Sequence, residues 1–339
     1  MRFLTKLAVA AAAMMGIASA CAHAEDFYAG KTIDLILPAE AGGSYGIYGL
    51  LLSSYLPKHI PGNPAIVPQY IPGAGGMRAS NQVANVAAKD GTAIYMLHQN
   101  TATQQLLAPA QAKYDAGKMI PIGIISSMNS VMAVRTDLGI NSLSDITQKE
   151  VILGSTGRGS YQFIVPTLLN QFMGTKFNIV TTYTGTGETM LAVDRNEIGG
   201  MMTSLISLQE SRPEWVSGDK GTAKIILQVG ETVDPAIPDV PRLAEFAKDE
   251  HQAAIFRFLS ISNSMARALV FPEGVSDEQV QIIRKAFTDL MNDPEFQKAA
   301  AEHKIPLNWS GADELGKIIS DTLATPQEIV ELTQKYIVE

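Results

Sequence analysis

Two glycine-rich turns near the start of the chain constrain the fold most strongly. In the first, the apolar run 33–37 leads through residues 38–44 into an apolar helical pattern that begins near Tyr45. In the second, the run 65–70 leads through residues 71–76 into another helical pattern. Short apolar runs that alternate with helices are typical of a mainly parallel sheet with helices on its faces. The sequence therefore predicts an α/β fold.

The same two turns also predict a binding site. Glycine lacks Cβ, so its backbone can take a positive φ and let a ligand approach the amide groups. Where such a loop opens a helix, the first N–H groups have no partner within the helix, and the helix dipole adds about half a positive charge. Open α/β sheets bind ligands at the carboxyl ends of their strands. One glycine turn is often only a tight connection, but two in succession favour a pocket for an anion.

The second half of the chain repeats this arrangement. Loop 154–160 connects the apolar run 151–153 to a helix that begins at Tyr161. Loop 183–187 connects the run 178–182 to the next helix. Each half of the chain therefore offers two glycine loops, and we expect a ligand to be held between the two halves.

Residues 1–24 have the features of a secretory signal peptide. Arg2 and Lys6 precede the apolar run 7–17, which is too short to span a bilayer, and residues 22–24 form an A-x-A cleavage site. We therefore expect an exported protein that works in the periplasm of a bacterial type of cell envelope.

Cleavage at this site would make Glu25 the first residue of the mature chain. A competing interpretation is a lipoprotein, because residues 18–21 resemble a lipobox and would make Cys21 a lipidated N-terminus. A lipobox normally has leucine three residues before the cysteine, and this chain has Ala18 there. The sequence therefore favours simple secretion over a lipid anchor.

Composition argues against several classes of function. The chain has 26 basic and 34 acidic residues, and loss of Arg2 and Lys6 leaves 24 basic residues and a net charge of −10. A mature chain this acidic, without a basic block, is not expected to bind nucleic acid or an anionic membrane surface. Cys21 is the only cysteine, so the cleaved chain can form neither disulfides nor cysteine metal sites. No metal and no cofactor are expected.

The mature chain is long enough to need more than one hydrophobic core, so two lobes are predicted. The apolar runs 122–125 and 131–134 flank a polar segment, which we interpret as the crossing from the first lobe to the second. Domain 1 is predicted to comprise residues 25–126 and 261–339, and domain 2 to comprise residues 127–260.

Loop 154–160 and the histidines match none of the common nucleotide-binding or metal-binding motifs. Loop 154–160 has the G-x-x-x-x-G spacing of a phosphate loop, but Ser160 stands where that loop needs lysine. The sequence also lacks a G-x-G-x-x-G after its first strand and a histidine pair at helical metal-ligand spacing. Two ionisable side chains remain candidates, His98 at a predicted strand exit and Arg158 in a glycine loop, where it would suit a carboxylate. Each could instead be an ordinary surface side chain.

Short motifs of one known family follow in order along the mature chain. In the first domain they are Gly42-Gly43-Ser44-Tyr45, His59-Ile60-Pro61-Gly62-Asn63-Pro64, Pro72-Gly73-Ala74-Gly75 and Lys89-Asp90-Gly91-Thr92. In the second domain and the return to the first they are Leu153-Gly154-Ser155-Thr156-Gly157-Arg158-Gly159-Ser160, Tyr183-Thr184-Gly185, Asn196-Glu197-Ile198-Gly199-Gly200 and Phe271-Pro272-Glu273-Gly274-Val275. Together they resemble the receptors of tripartite tricarboxylate transporters, the TctC or Bug family of periplasmic solute-binding proteins.

The resemblance implies a two-lobed periplasmic-binding-protein clamp that captures a small organic carboxylate, either a di- or tricarboxylate or an aromatic acid. The clamp would deliver it to a two-component integral membrane permease of the tripartite type. A monomer without catalytic activity is expected. The alternative from another class is a cell-envelope enzyme that acts on a small carboxylate.

Carried over by position, the resemblance implies that loops 39–45 and 73–77 of domain 1 hold the carboxylate through amides and ordered water. Polar side chains of domain 2 would close over the other end. The complete set of candidate ligand-binding residues is Ala41, Gly42, Gly43, Ser44, Tyr45, Gly73, Ala74, Gly75, Gly76, Met77, Gln99, Asn100, Ser155, Thr156, Arg158, Ser160, Tyr183 and Thr186.

Two positions depart from the pattern of the family. Gly46 stands where the family commonly has aspartate, and Leu50 where it often has arginine. We interpret Gly46 as leaving room in the site, which favours a carboxylate with a bulky or extended body. On this interpretation Gly46→Asp should keep or raise the melting temperature, because an acidic first turn stabilises a helix, and should weaken carboxylate binding.

Overall fold

The computed structural model describes residues 27–41, 43–218 and 221–338. The predictions for the signal peptide, for Cys21 and for Glu25 concern residues outside this described part. The prediction for Gly42 also falls outside it.

The described chain alternates strands and helices along most of its length. The strands are β1 (Thr32–Leu37), β2 (Ala65–Tyr70), β3 (Ala93–Leu97), β4 (Ile120–Ser126), β5 (Ser130–Arg135), β6 (Val151–Gly154), β7 (Phe177–Val180), β8 (Gly200–Ser204), β9 (Ala223–Val229), β10 (Arg267–Phe271) and β11 (Ser310–Gly311). The α-helices are α1 (Ser44–Tyr55), α2 (Met77–Asn85), α3 (Thr101–Leu107), α4 (Tyr161–Met173), α5 (Thr186–Asp194), α6 (Leu205–Ser211), α7 (Pro213–Ser217), α8 (Glu250–Ser260), α9 (Asp277–Met291), α10 (Pro294–Glu302), α11 (Ala312–Leu323) and α12 (Gln327–Val338). Short 3-10 helices lie at Leu56–His59, Ala74–Gly76, Ala116–Lys118, Thr136–Leu138, Leu143–Thr147, Leu243–Phe246 and Ile261–Met265.

The first sheet has the strand order β11-β4-β10-β3-β1-β2. β1 is parallel to β2 and to β3, whereas β10 lies antiparallel between β3 and β4. β10 runs in the opposite direction because it receives the chain on its return from the second sheet. β1, β2, β3 and β4 therefore share one direction, and their carboxyl ends lie along one edge.

The second sheet has the order β7-β6-β8-β5-β9. β6 is parallel to β7 and to β8, and β5 lies antiparallel between β8 and β9. β5 is the strand that enters from the first sheet, so it too runs against its neighbours. Each sheet with the helices packed on it forms one lobe of the predicted α/β fold.

Helices cover both faces of the first sheet. On one face Leu35 and Leu37 of β1 lie in a buried cluster with Phe287 of α9. On the other face Tyr95 of β3 lies in a second cluster with Leu315 of α11. Because both faces are covered, every residue of β3 is buried, as expected of a central strand in such a sheet. The edge formed by the carboxyl ends of the strands is therefore the part of the sheet where a ligand can bind.

The chain passes between the two lobes at three places. Residues 127–129 join β4 to β5, and the 3-10 helix Ile261–Met265 leads from α8 back to β10. After α11 the chain crosses again, at residues 324–326, because α12 packs on the second lobe. There Leu332 and Tyr336 contact the buried cluster of the second sheet.

The last helix is held by specific contacts as well as apolar ones. The ring of Tyr336 meets that of Phe172 in α4 edge to face, with 4.8 Å between the centroids. Gln334 Nε2 donates to the carbonyl oxygens of Leu106 and Leu107, at 2.9 and 3.2 Å. The division into residues 25–126 with 261–339 and 127–260 stays a prediction. The Tyr336 contact places α12 against α4 of the second lobe, and the Gln334 hydrogen bonds also join α12 to α3 of the first lobe.

None of the helices in the described part of the chain is both long enough and apolar enough to cross a membrane.

Candidate functional site

The helix-opening turns of both lobes meet at one cleft between the two sheets. The first lobe contributes the turns before α1 and α2, and the second lobe those before α4 and α5. The cavity has a volume of about 80 Å³, which is room for a few water molecules or one small organic molecule. It is lined by Pro38, Ala39, Glu40, Gly43, Ser44, Tyr45, Gly73, Gly75, Gly76, His98, Gln99, Thr156, Ser160, Tyr161, Gln162, Thr184, Gly185, Thr186, Gly187, Thr203, Ser204, Ser207 and Arg267.

The turn before α1 presents the N-terminus of that helix to the cavity. Gly43 is the N-cap residue, and no side chain caps the helix. The first turn also contains no acidic residue. Its amide groups and the positive end of the helix dipole are therefore available to an anion.

The turn before α2 has an unusual run of backbone conformations. Gly73, Ala74, Gly75 and Gly76 all have positive φ, at 127°, 49°, 62° and 92°. Successive amides in turns of this kind can form a concave surface that binds anions. A Cβ on Gly76 would lie 2.3 Å from Cγ of His98, so this position needs glycine for space as well as for its φ.

Tyr45 and His98 stack against each other in the first-lobe wall. Their ring centroids lie 5.8 Å apart, with 12° between the planes. The Tyr45 hydroxyl accepts the backbone N–H of Gln99 at 3.3 Å and lies 3.4 Å from the carbonyl oxygen of Leu97. Burial raises the pKa of Tyr45, and the positive charge of Arg267 opposes this only in part, so the phenol is neutral at physiological pH.

His98 is a neutral side chain in this site. Burial, and secondarily the positive charge of Arg267, lowers the pKa of His98 to about 3. The backbone N–H of Asn100 donates to His98 Nδ1 at 3.2 Å. The proton of the neutral ring therefore belongs on Nε2, which makes that atom a hydrogen-bond donor.

Arg267 is a buried cation at the start of β10, with a residue exposure of 1%. Its Nη1 donates to the carbonyl oxygen of Ala266 at 2.5 Å, and its Nη2 donates to Ser44 Oγ. The guanidinium lies over the ring of Tyr45, 3.9 Å from the centroid, and 5.6 Å from that of Tyr48. Arg267 Nε is buried without a hydrogen-bond partner among the described residues.

The second-lobe turn before α4 is tied by its own hydroxyl groups. Ser155 Oγ and Ser160 Oγ are 3.0 Å apart, and Ser160 Oγ donates to the carbonyl oxygen of Gly157 at 2.8 Å. Ser155 is fully buried, so its hydroxyl shapes the loop rather than facing the cavity. Ser160, at the N-cap of α4, lies on the cavity wall.

Gln162 orients Thr156 in the same turn. Gln162 Oε1 accepts from the backbone N–H and the hydroxyl of Thr156, at 3.0 and 2.9 Å, while its Nε2 donates to the carbonyl oxygen of Met202 at 2.8 Å. The amide of Gln162 thus links the glycine turn to β8. This arrangement fixes which way the Thr156 side chain points.

Hydroxyl groups dominate the rest of the second-lobe wall. Ser204 Oγ and Ser207 Oγ are 2.8 Å apart, and Thr186 Oγ1 lies 3.4 Å from Thr203 Oγ1. Hydroxyls can both donate and accept, so this wall can match either kind of polar group on a ligand.

The two lobes touch each other around the cavity. Ser44 Oγ of the first lobe lies 3.2 Å from Ser204 Oγ of the second. Gln104 Nε2 donates to the carbonyl oxygens of Gly75 and Gly159, at 2.9 and 2.6 Å, and so connects loops of different lobes. The structure therefore shows the clamp closed.

Ten of the residues predicted from sequence line the cavity. They are Gly43, Ser44, Tyr45, Gly73, Gly75, Gly76, Gln99, Thr156, Ser160 and Thr186. The side chain of Gln99 is also used at the crossings between lobes, because its Nε2 donates to Asn263 Oδ1 at 2.7 Å and to Ser130 Oγ at 3.2 Å.

The remaining predicted residues lie elsewhere. Ala74, Met77 and Arg158 line a separate cavity, where the Arg158 guanidinium lies over the ring of Phe163, 5.3 Å from its centroid. The others that do not line the cleft are Ala41, Asn100, Ser155 and Tyr183. Gly42 lies outside the described residues.

Several residues of the cleft were missed by sequence reasoning. Arg267 is the most important, and it stands in an apolar run without any motif around it. Gln162 could have been noticed as the only polar side chain in the first turn of the predicted helix after a glycine loop. Thr203 and Ser204 are the last two residues of β8, and Ser207 lies in the first turn of α6, so these hydroxyls lie at a strand end, as Gln99 does.

Comparison with known proteins assigns this fold and cleft to a family. The model of the tripartite tricarboxylate transporter family receptors matches residues 57–334. The chain belongs to this family. The receptor is 24% identical over 341 residues to the "UPF0065 protein in gbd 5'region" of Cupriavidus necator, covering 97% of this chain and 96% of that protein.

Solved structures show the same fold. The receptor matches the periplasmic binding protein BugD with a TM-score of 0.72 at 20% identity, covering 91% of this chain and 98% of BugD. It matches MatC from Rhodopseudomonas palustris, solved with bound malate, with a TM-score of 0.69 at 18% identity, covering 88% of this chain and 99% of MatC. The prediction of a two-lobed periplasmic-binding-protein fold is thereby confirmed.

The interpretation of Gly46 as room in the site is wrong for this receptor. Gly46 does not line the cavity. A Cβ there would lie 1.9 Å from the carbonyl oxygen of Ala41 and 2.6 Å from its carbon. Gly46 therefore lets the loop before α1 pass close to the helix. Leu50 is 61% exposed on the surface, so the second departure does not shape the cavity either.

The depressed pKa of His98 predicts a pH dependence of stability. The unfolded chain takes up a proton on His98 near the ordinary pKa of 6.5, whereas the folded receptor does so only near pH 3. Stability is therefore full above pH 6.5 and is lost as the pH falls toward 3. His98→Asn keeps an acceptor for the Asn100 N–H and cannot titrate. Between pH 6.5 and 5.5 the receptor should lose about 1 kcal/mol more unfolding free energy than this variant.

Urea unfolding of both proteins at several pH values measures this difference. Both proteins share every other titratable group, so the difference between their plots of unfolding free energy against pH reports on His98 alone. The difference in unfolding free energy at pH 8 gives the pH-independent cost of the substitution. Parallel stability curves over this range would show that His98 titrates normally in the folded receptor.

Proposed function

We propose that the receptor captures a small organic carboxylate in the cleft and delivers it to a membrane permease. The observation that supports this most directly is the convergence of four helix-opening turns on one small cavity. Such turns offer backbone N–H groups and positive helix ends, which suit an anion. MatC, which shares this fold, was solved with bound malate, a small organic carboxylate.

The family description supports the choice of partner. A receptor of a tripartite transporter works with membrane components that complete the transporter, so we propose a two-component permease of this type. We further propose that the receptor is a monomer in the periplasm and that export removes residues 1–24. N-terminal sequencing of the exported protein checks this, with Glu25 expected as the first residue and a lipid-modified Cys21 as the contrary result.

We propose that binding occurs without chemical turnover. A general base near neutral pH needs a pKa close to 7. The pKa of His98, the histidine in the cleft, is lowered to about 3, which makes it a weak base. The cleft is therefore better suited to holding a ligand than to activating water.

A panel of carboxylates tests this proposal. Purified receptor is mixed with malate, succinate, citrate, glutamate and benzoate, and melting temperature, calorimetric affinity and ligand composition are measured on the same samples. Saturation at about 100 times the dissociation constant should stabilise the receptor by about 2.7 kcal/mol, and the ligand should be recovered unchanged. Product formation would favour the enzyme alternative, and a panel without any binding would overturn the proposal.

A further inference from the structure

Arg267 is a fixed cation that no carboxylate of the described residues neutralises. None of the ion pairs found within 4.0 Å in the described part of the chain includes this residue. Its partners are a carbonyl oxygen and the hydroxyl of Ser44. A buried charge is costly unless it is paired, so these neutral partners compensate it only in part.

The aromatic neighbours cannot supply the missing negative charge. Burial raises the pKa of Tyr48 to about 12 and raises that of Tyr45 above its ordinary value, so both phenols stay protonated near neutral pH. Their rings offer the guanidinium π faces, at 3.9 and 5.6 Å from the centroids. Cation–π contacts stabilise a guanidinium but leave its N–H groups free for an anion.

Arg267 also lies where a ligand would be. It lines the cavity together with Ser44 and Tyr45, at the open end of α1. Its Nε–H is a buried donor without a partner, and guanidinium groups bind carboxylates through two parallel hydrogen bonds. The cation, the unpaired donor and the helix N-terminus thus act on the same part of the cavity.

We propose that Arg267 forms a direct ion pair with the ligand's carboxylate in the cleft, so that the receptor selects an ionised carboxylate over its neutral amide. This rests on the proposed function, and it adds a charged anchor to the backbone amides of the glycine turns. Glu40 is the acidic residue among those that line the cavity. It lies in the loop beside Gly185, since a Cβ on Gly185 would be 2.6 Å from Glu40 Oε2. A ligand with a carboxylate at the Arg267 end and a hydrogen-bond donor toward Glu40 would complement the positive charge of Arg267 and the acidic side chain of Glu40.

Substitution of Arg267 tests the proposal against matched ligands. Calorimetry measures the affinity of wild type, Arg267→Gln, Arg267→Lys and Arg195→Gln for malate and benzoate and for their neutral amides, malamide and benzamide. Wild type should prefer each acid that it binds over its amide by at least tenfold. Arg267→Gln should lose most of this preference, Arg267→Lys should retain part of it, and Arg195→Gln should match wild type. Arg195 is an exposed arginine outside the cleft, so it controls for the loss of one positive charge.

The results of this experiment test the proposed function and the ion pair separately. If neither acid binds to wild type, the proposed function fails for these carboxylates, and the ion pair fails with it. If Arg267→Gln binds an acid as tightly as wild type and still rejects its amide, only the ion pair is overturned.

A second measurement covers the case in which Arg267→Gln does not fold. In spectra of wild-type receptor with 15N-labelled arginine, the Nε–H signal that is absent from Arg267→Lys belongs to Arg267. Saturating malate should shift this signal and slow its exchange with water, and malamide should not. An unchanged signal at saturation by malate would overturn the ion pair.

Discussion

Replacing Gly46 with aspartate is expected to lower the melting temperature by roughly 4 to 12 °C. The new Cβ would lie 1.9 Å from the carbonyl oxygen of Ala41, so backbone must move on one side or the other. Overpacking of this kind typically costs about 3 kcal/mol, and each kcal/mol lowers the melting temperature of a chain this large by about 2 to 4 °C. An acidic residue in the first turn should stabilise the helix by at most about 1 kcal/mol through the helix dipole, which offsets only part of this cost.

Gly311→Asp is the matched control, because Gly311 is also at a helix N-terminus and a Cβ there would meet nothing within 4 Å. Aspartate is a good N-cap, so this variant should melt at the same temperature as wild type or slightly above it. Differential scanning calorimetry compares the three proteins. If Gly46→Asp melts within 2 °C of wild type, the loop before α1 can relax and the close approach is not a constraint.

Replacing Gly75 with asparagine is expected to weaken ligand binding about a hundredfold, or about 2.7 kcal/mol. Gly75 has φ of 62° and ψ of 33°, a left-handed conformation that asparagine tolerates better than most residues. Its Cβ, however, would lie 3.0 Å from Cα of Ser160 and 2.9 Å from Gln104 Nε2, at the contact between the lobes. The side chain should therefore hold the clamp partly open.

Gly139→Asn provides the same change in the same conformation, since Gly139 has φ of 67° and ψ of 19° and open space around a Cβ. This control should bind like wild type. Small-angle scattering with saturating carboxylate should give a larger radius of gyration for Gly75→Asn than for the other two proteins. Equal radii and equal affinities for all three would show that the contact at Gly75 is not needed for closure.

The elements that could be predicted from sequence are those whose causes are local. Glycine spacing and apolar periodicity located the turn before α4, and the helix predicted from Tyr161 begins there. The turn before α2 was located in the same way. Ten candidate residues reached the cleft because each lies at the carboxyl end of a parallel strand, where the fold itself determines position.

What could not be predicted depends on contacts between distant segments. Arg267 reaches the cavity because β10 returns from the second lobe and lies beside β3, a pairing that no local pattern encodes. Arg158 was a reasonable candidate, but the direction of a loop side chain depends on neighbours such as Phe163. The Gly46 prediction failed because the path of Ala41 over α1 is not visible in the sequence.

The return of α12 to the second lobe limits how the receptor can open. A body joined to another by two segments can twist as well as bend, whereas a third connection restrains twisting. Residues 324–326 supply that third connection, Tyr336 holds α12 on the second lobe, and Gln334 also ties α12 to α3 of the first lobe. Opening should therefore follow a single bending axis near the crossings at residues 127–129 and 261–265. A permease would then meet the receptor along one reproducible path between its open and closed shapes, with little rotation of one lobe about the other.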